Sequence, residues 1–307
     1  MEKKKYIILA LIIIGLVLIS GCAKKSTAET APSGAFIGGT DGLIMSFVAD
    51  APPSEYPQAV PFDIIVNVEN KGEYDIPDDA ATLVIGGIPY VKEKTQTLTG
   101  LTGRQLLQKT PTPGGVTQAQ FSSDGSPTFP GSQPQKISAS ICYPYVTKIQ
   151  GTVCIRESLA KQTVGGAELC TITGDKTVFS SGAPIKITSL TESATSQAGK
   201  VIGLRFTMFV KDEGPGVSYL GETCPPNLAD ANKVKVINAT LVSLGIKLDC
   251  KKAEETGVLI TGDKGGIITC VTPEGANIAG EFEDVLLMEL GYKYTQSITK
   301  SITFTTV

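Results

Sequence analysis

Cysteine is the residue type in this chain with the most chemistry to offer, and histidine is the one that is missing: there are seven cysteines and no histidine. Histidine is the commonest general base at neutral pH and a frequent metal ligand. Its absence excludes Ser–His and Cys–His catalytic arrangements outright. No two cysteines stand as Cys-x-x-Cys, so the usual zinc and iron–sulfur spacings are absent too. With Cys22 set aside, six cysteines remain: Cys142, Cys154, Cys170, Cys224, Cys250 and Cys270. An even number in an exported chain reads as disulfides. Sequence does not choose among the connectivities. Joining neighbours gives Cys154–Cys170 and Cys250–Cys270, which leaves Cys142–Cys224 as a strap between the two halves. Each such bond stabilises by roughly 3 kcal/mol through loop closure.

The remaining candidates are weak as chemistry and informative as structure. Ser196 and Lys200 could form a Ser–Lys dyad, but they sit in a polar loop. Glu73-Tyr74-Asp75-Ile76-Pro77-Asp78-Asp79 gathers carboxylates that calcium would accept, without the spacing of a 12-residue calcium loop. Solvated turns between strands are the expected reading. Thr-Gly-Asp-Lys occurs at Thr173 and again at Thr261, where a phosphate loop would need more glycines and a following helix. Strands follow instead, so Gly-Asp reads as turn chemistry. Tyr143 and Tyr145, with Tyr292 and Tyr294, read as core and corner residues whose hydroxyls bond to backbone. Asn238-Ala239-Thr240 is a glycosylation sequon, so Asn238 is a candidate whose use would mark it as exposed. No catalytic residue, metal site or cofactor is expected.

The first 22 residues say where the chain works. Lys3, Lys4 and Lys5 precede an uncharged stretch, residues 6–19, that ends in Ser20-Gly21-Cys22. A membrane span needs roughly 20 apolar residues, so this stretch is short for one and suits a secretory signal. Ile19-Ser20-Gly21-Cys22 resembles the lipobox of prokaryotic lipoproteins. That resemblance implies cleavage before Cys22 and a diacylglyceryl group on its sulfur. The other reading is an uncleaved anchor; either way the rest of the chain lies outside the cytoplasm, tethered to a membrane. Residues 23–34 are small and polar and behave as a flexible stalk.

Charge narrows the partners. Removing residues 1–21 takes three lysines from the 27 basic residues and one glutamate from the 30 acidic ones, leaving 24 against 29, a net of −5. Nucleic acid requires clustered Lys and Arg. Only Arg104, Arg156 and Arg205 are arginines, so a nucleic-acid partner is excluded.

Behind the tether the elements are strands. Phe62-Asp63-Ile64-Ile65-Val66-Asn67-Val68 alternates apolar and polar residues, as a half-buried strand does. Further strands are predicted at 42–48, 81–85, 137–145, 152–155, 185–190, 202–210, 234–242, 257–260, 267–271, 285–294 and 298–305. Residues 103–108 and 227–232 each suit a turn or two of helix. Residues 109–135, rich in Pro, Gly, Ser and Thr, read as a long surface loop and a candidate contact loop. A repeat emerges at a shift of 149 residues: Tyr143, Tyr145, Ile149, Val153 and Ile155 match Tyr292, Tyr294, Ile298, Ile302 and Phe304. Phe62 to Gly72 parallels Leu204 to Gly214 more loosely. Each half then opens on a strand and closes with a Tyr-x-Tyr hairpin.

The expected organisation is all-β: a signal peptide at 1–21, a tether at 22–36, and two tandem immunoglobulin-like β-sandwich domains at 37–155 and 182–307. Residues 156–181 join them and hold a disulfide loop. The stretch Pro61-Phe62-Asp63-Ile64-Ile65-Val66-Asn67-Val68-Glu69-Asn70-Lys71-Gly72, an alternating strand ending in Asn-x-Gly, resembles the CARDB-type (cell-adhesion-related) immunoglobulin-like domains of prokaryotic surface proteins. The likeness covers residues 37–80 and is fainter at 182–220, where Asp212-Glu213-Gly214-Pro215-Gly216 departs from the pattern. It implies an extracellular spacer, adhesin stalk or assembly module and brings no catalytic residues. The functional expectation is therefore a lipid-anchored, non-catalytic surface module with a protein partner at the cell surface. The alternative is a ligand-binding or accessory lipoprotein of a transporter or surface complex.

Overall fold

Period-two alternation does what it predicts. Phe62, Ile64, Val66 and Val68 are buried, the residues between them are not, and the strand runs Phe62–Asn70. The computed structural model describes residues 35–159, 169–221, 223–224 and 228–306. The signal at 1–21, Cys22 and most of the tether lie outside the described residues.

The first half contains β1 (Leu43–Phe47), β2 (Glu55–Pro57), β3 (Phe62–Asn70), β4 (Ala81–Gly86), β5 (Thr95–Leu98), β6 (Gln105–Leu107), β7 (Thr110–Thr112), β8 (Val116–Ser123) and β9 (Gln133–Arg156). The second half contains β10 (Gly174–Lys176), β11 (Val178–Ser180), β12 (Ile185–Gln197), β13 (Lys200–Asp212), β14 (Val217–Tyr219), β15 (Lys233–Leu241), β16 (Ile246–Lys247), β17 (Val258–Leu259), β18 (Gly266–Val271) and β19 (Glu281–Thr305). One short helix, α1 (Lys252–Glu255), precedes β17. The described fold is all-β.

Three expectations give way here. Tyr143 and Tyr145 do not end a hairpin, and neither do Tyr292 and Tyr294: each pair lies inside one unbroken long strand. The strand predicted at 137–145 already runs through Pro144; β4 pairs β9 only as far as Cys142, so among the described strands no ladder bond is lost there. Residues 109–135 are not one loop either. They include β8, which pairs with β3 along its length and buries Ala119 and Phe121. Its inward positions are Thr117, Ala119, Phe121 and Ser123, so only one large apolar residue carried the alternation. Residues 103–108, read as helix, hold strand β6 of a small β6–β7 hairpin. Residues 227–232 do contain a 3-10 turn, Leu228–Asp230.

The pairing of β9 with β19 organises everything else. All 24 residues of β9 have an antiparallel partner in β19, from Gln133↔Phe304 to Arg156↔Glu281. The central pair is Pro144↔Lys293, the two positions that the 149-residue repeat makes equivalent. Strand order across this sheet reads alike from both ends: β5-β4-β9-β19-β15-β16. The covering sheets correspond as well, β1-β3-β8 in the first half and β12-β13-β18 in the second, with β10 added to the latter.

Each long strand begins in its own half and finishes in the other. Phe304, near the end of β19, packs on Phe62 of β3 with ring centroids 5.6 Å apart. Toward the end of β9, the main-chain N–H of Cys154 donates to Glu192 of β12 at 2.9 Å. A Cβ on Gly151 would press on Leu190, also of β12. Residues 146–156 thus pack with the second half, and residues 295–305 with the first.

Four tyrosines close the crossing. Tyr143, Tyr145, Tyr292 and Tyr294 share one buried face, and adjacent ring centroids around the square are 6.0, 6.0, 6.3 and 6.0 Å apart. Such pairs contribute about 0.5–1.5 kcal/mol each beyond the area they bury. Their hydroxyls bond to backbone or to a side chain that does. Tyr143 Oη accepts from Leu43 N (3.1 Å), and Tyr145 Oη donates to Gly182 O (2.7 Å). Tyr294 Oη accepts from Gly216 N (2.9 Å) and donates to Asp212 Oδ1 (3.0 Å). Tyr292 Oη reaches Thr147 Oγ1 (2.9 Å), which donates on to Ile185 O (3.0 Å).

The turns that meet these hydroxyls are matched. Gly72 N donates to Asn70 Oδ1 (3.0 Å), and Gly214 N donates to Asp212 Oδ1 (3.1 Å), the same local turn in each half. A Cβ on Gly72 would overlap the Tyr145 hydroxyl, and one on Gly214 would overlap that of Tyr294. Gly72→Ala is therefore expected to destabilise by about 1–3 kcal/mol. In a double-mutant cycle, Tyr145→Phe should recover part of that loss. Denaturant unfolding of the four proteins measures it, and simple additivity would contradict the packing described.

Candidate functional site

The cysteines pair as expected: Cys142–Cys224, Cys154–Cys170 and Cys250–Cys270, with Cα separations of 6.1, 5.7 and 4.1 Å. The first joins β9 to the segment after β14 and so ties the halves, with the Tyr219 hydroxyl against both sulfurs. The second ties the end of β9 to the chain ahead of β10. The third pins the start of α1 to β18.

The acidic cluster at 73–79 disperses on folding. Glu73 Oε1 accepts from Gly38 N (2.6 Å), Asp75 Oδ1 from Gly103 N (2.7 Å), Asp78 Oδ1 from Gly100 N (2.9 Å) and Asp79 Oδ1 from the Thr97 hydroxyl (2.9 Å). Four carboxylates thus serve four different donors and organise the loops around them. Among the described residues no group of three or more His, Cys, Asp or Glu side chains is placed to hold a metal ion.

The other motifs land in turns and edges. Ser196 and Lys200 are exposed at the mouth of the β12–β13 hairpin, whose two loop residues, Ala198 and Gly199, both have positive φ. The second Thr-Gly-Asp-Lys is a turn closed by Thr261 against Gly265. The first is not a turn: Gly174–Lys176 is strand β10, and Lys176 reaches inward. Asn238 is exposed on β15 beside a register shift, and its Oδ1 accepts from the Thr240 hydroxyl at 3.2 Å. Among the described residues no helix is long and apolar enough to cross a membrane.

One ionic group escaped sequence reading. Glu192 is wholly buried, and its Oε2 takes the Cys154 N–H at 2.9 Å and the Lys176 ammonium at 3.0 Å. Simple alternation from Ile185 would have pointed Glu192 to solvent with the polar residues. A register shift between Ile187 and Ser189 flips the parity and turns Leu190 and Glu192 inward. No residue type in the sequence signals that bulge.

Burial dominates the electrostatics of this interior. It raises the carboxyl pKa of Glu73, Glu192 and Asp212 above the ordinary range, against the hydrogen bonds that pull each one down. It also lifts Tyr143, Tyr145, Tyr292 and Tyr294 well above the usual phenol value, so these hydroxyls stay protonated. The arrangement fixes loops and strand ends through neutral phenols and main-chain donors.

No family model matches this chain, and no curated protein does. The CARDB-type likeness therefore gains no support from comparison. Among solved structures, the collagen adhesin CNA from S. aureus is 12% identical over 90% of this chain and 95% of that one, with a TM-score of 0.12. That score is too low to carry an argument about fold or function.

The raised carboxyls give stability a pH signature. A carboxyl whose folded pKa lies above its unfolded value favours folding when protonated. That contribution is complete below the unfolded value, near 4.5 for glutamate, and is lost as pH climbs through the raised folded one. The melting temperature should accordingly fall as pH rises above about 4.5 toward neutrality. Glu73→Gln with Glu192→Gln and Asp212→Asn should flatten that slope, as read by calorimetry across the range. An unchanged slope would overturn the assignment.

Proposed function

We propose that this chain is an extracytoplasmic lipoprotein, held to the cell membrane by a lipidated Cys22, and that it acts as a non-catalytic structural, adhesion or protein-interaction module. In this reading the two halves are immunoglobulin-like β-sandwiches of one plan that share their central strands. The observation that carries it is the end-to-end pairing of β9 with β19, which joins two repeats into one unit without a hinge at the strands that cross. A substrate-binding lipoprotein of the usual two-lobed kind closes about such a hinge. Three disulfides suit an oxidising compartment outside the cytoplasm. A mild net negative charge suits a soluble surface module.

A second reading, an accessory or ligand-binding lipoprotein of a transporter or surface complex, is favoured by one observation: a basic groove beside Lys252 in the second half.

Mass spectrometry of the purified mature protein should find residues 1–21 gone and a diacylglyceryl mass on Cys22. Cys22→Ser should move the chain from the membrane fraction to the soluble one, or leave its signal uncleaved. An unmodified Cys22 in a processed chain would overturn the anchor. Affinity capture from native membranes with the anchor retained should recover a protein partner in stable ratio. Recovery with intact transporter subunits would favour the second reading.

A further inference from the structure

In the second half the sheet edge is left open over a short, bounded stretch. Alternate residues of an antiparallel strand turn their N–H and C=O groups to opposite sides. In β18, Val271 exchanges both main-chain bonds with Asp249 (2.8 and 3.0 Å), and Gly265 O accepts from Thr261 N (3.1 Å). Both therefore face away from β13, the partner of β18 on its other side. Ile267 and Thr269 lie between them, in unbroken register with β13, so their groups turn the same way. Among the described residues nothing bonds them there.

The opening has a cause. After the turn at 262–264, β17 and β18 part: β17 pairs with β15, while β18 stays with β13. The fork between them holds two joined hollows of about 420 and 440 Å³ that share Lys252, Val258 and Ile267. Ile267 and Leu259 are 63% and 52% exposed, the first in this fork and the second at its rim. Arg205, Lys251, Lys252 and Lys233 line the hollows, Lys233 paired with Asp230 at 3.6 Å, and among the described lining residues Asp249 is the one carboxylate, in a chain whose net charge is −3. The matching edge of the first half is treated differently: there the Gln96 side chain donates to Gln120 O on β8 at 2.6 Å.

We propose that this fork is a binding site for an extended protein segment alternating apolar and acidic residues. The segment adds as a strand against Ile267 and Thr269. Their four main-chain groups supply its hydrogen bonds, the apolar walls of the fork take alternate side chains, and the basic rim takes the carboxylates. The site does not depend on how the chain is anchored, so it stands or falls apart from lipidation at Cys22.

The test uses the full-length protein in detergent and a fluorescein-labelled peptide of sequence EVTVEVD. Fluorescence anisotropy should show saturable binding. Amide hydrogen exchange should slow at Ile267 and Thr269 on adding peptide, with no new protection in β8. Arg205→Glu with Lys252→Glu, both exposed positions, should weaken binding by about tenfold or more. The same peptide with every main-chain amide N-methylated keeps its charges and loses its donors, so it should not bind. Equal binding of the methylated peptide, or of the basic peptide KVTVKVK, would overturn the proposal, and so would no binding of EVTVEVD at all.

Discussion

The structure depends on one antiparallel pairing, that of β9 with β19 about Pro144 and Lys293. A sheet has edges, and unpaired edges invite association with other chains. Here each repeat covers the inner edge of the other, because its long strand runs on past the crossing into its neighbour. The square of tyrosines sits at that crossing, where the two repeats must agree in register. A slip of one residue in either strand would turn its two rings to the opposite face, away from the other pair. Burying them is thus both the reward for correct pairing and the penalty for any other.

The hydroxyls extend this control outward. Each of the four reaches a main-chain group at the start of a strand or in a turn, directly or through Thr147. A buried phenol without a partner is costly, so the approach of these segments to the rings is set by hydrogen bonding as well as by packing. Glycine at 72 and 214 is the consequence: the backbone comes so near the ring oxygen that no side chain fits. The same local turn recurs in both halves even though asparagine stands in one and aspartate in the other.

The repeats diverge where the shared sheet does not constrain them. The first half spends its loop carboxylates on the Thr97 hydroxyl and the main-chain donors of Gly100 and Gly103, and caps its β8 edge with Gln96. The second buries Glu192 with Lys176, pins α1 through Cys250–Cys270, and leaves the fork beside β18 open. An inner layer common to both halves and outer loops that differ are what duplication followed by specialisation would leave.

Sequence by itself determined the strand at 62–70 to the residue, the repeat and its tyrosines, and an even count of six cysteines, whose pairing the fold decided. Each of these rests on patterns of near residues or on a count, and such patterns survive folding. It left β8 hidden, because small and polar residues fill most of its inward positions, and it broke the two long strands at 146–151 and 295–297. Residues 146–151 and 295–297 are mostly polar, and whether the chain runs on through them as strand depends on the strand alongside. Only the tertiary structure could decide that, along with the bulge that turns Glu192 inward and the parting of β17 from β18. All three are set by which strand lies alongside, a relation between residues far apart in the chain that no local spacing records.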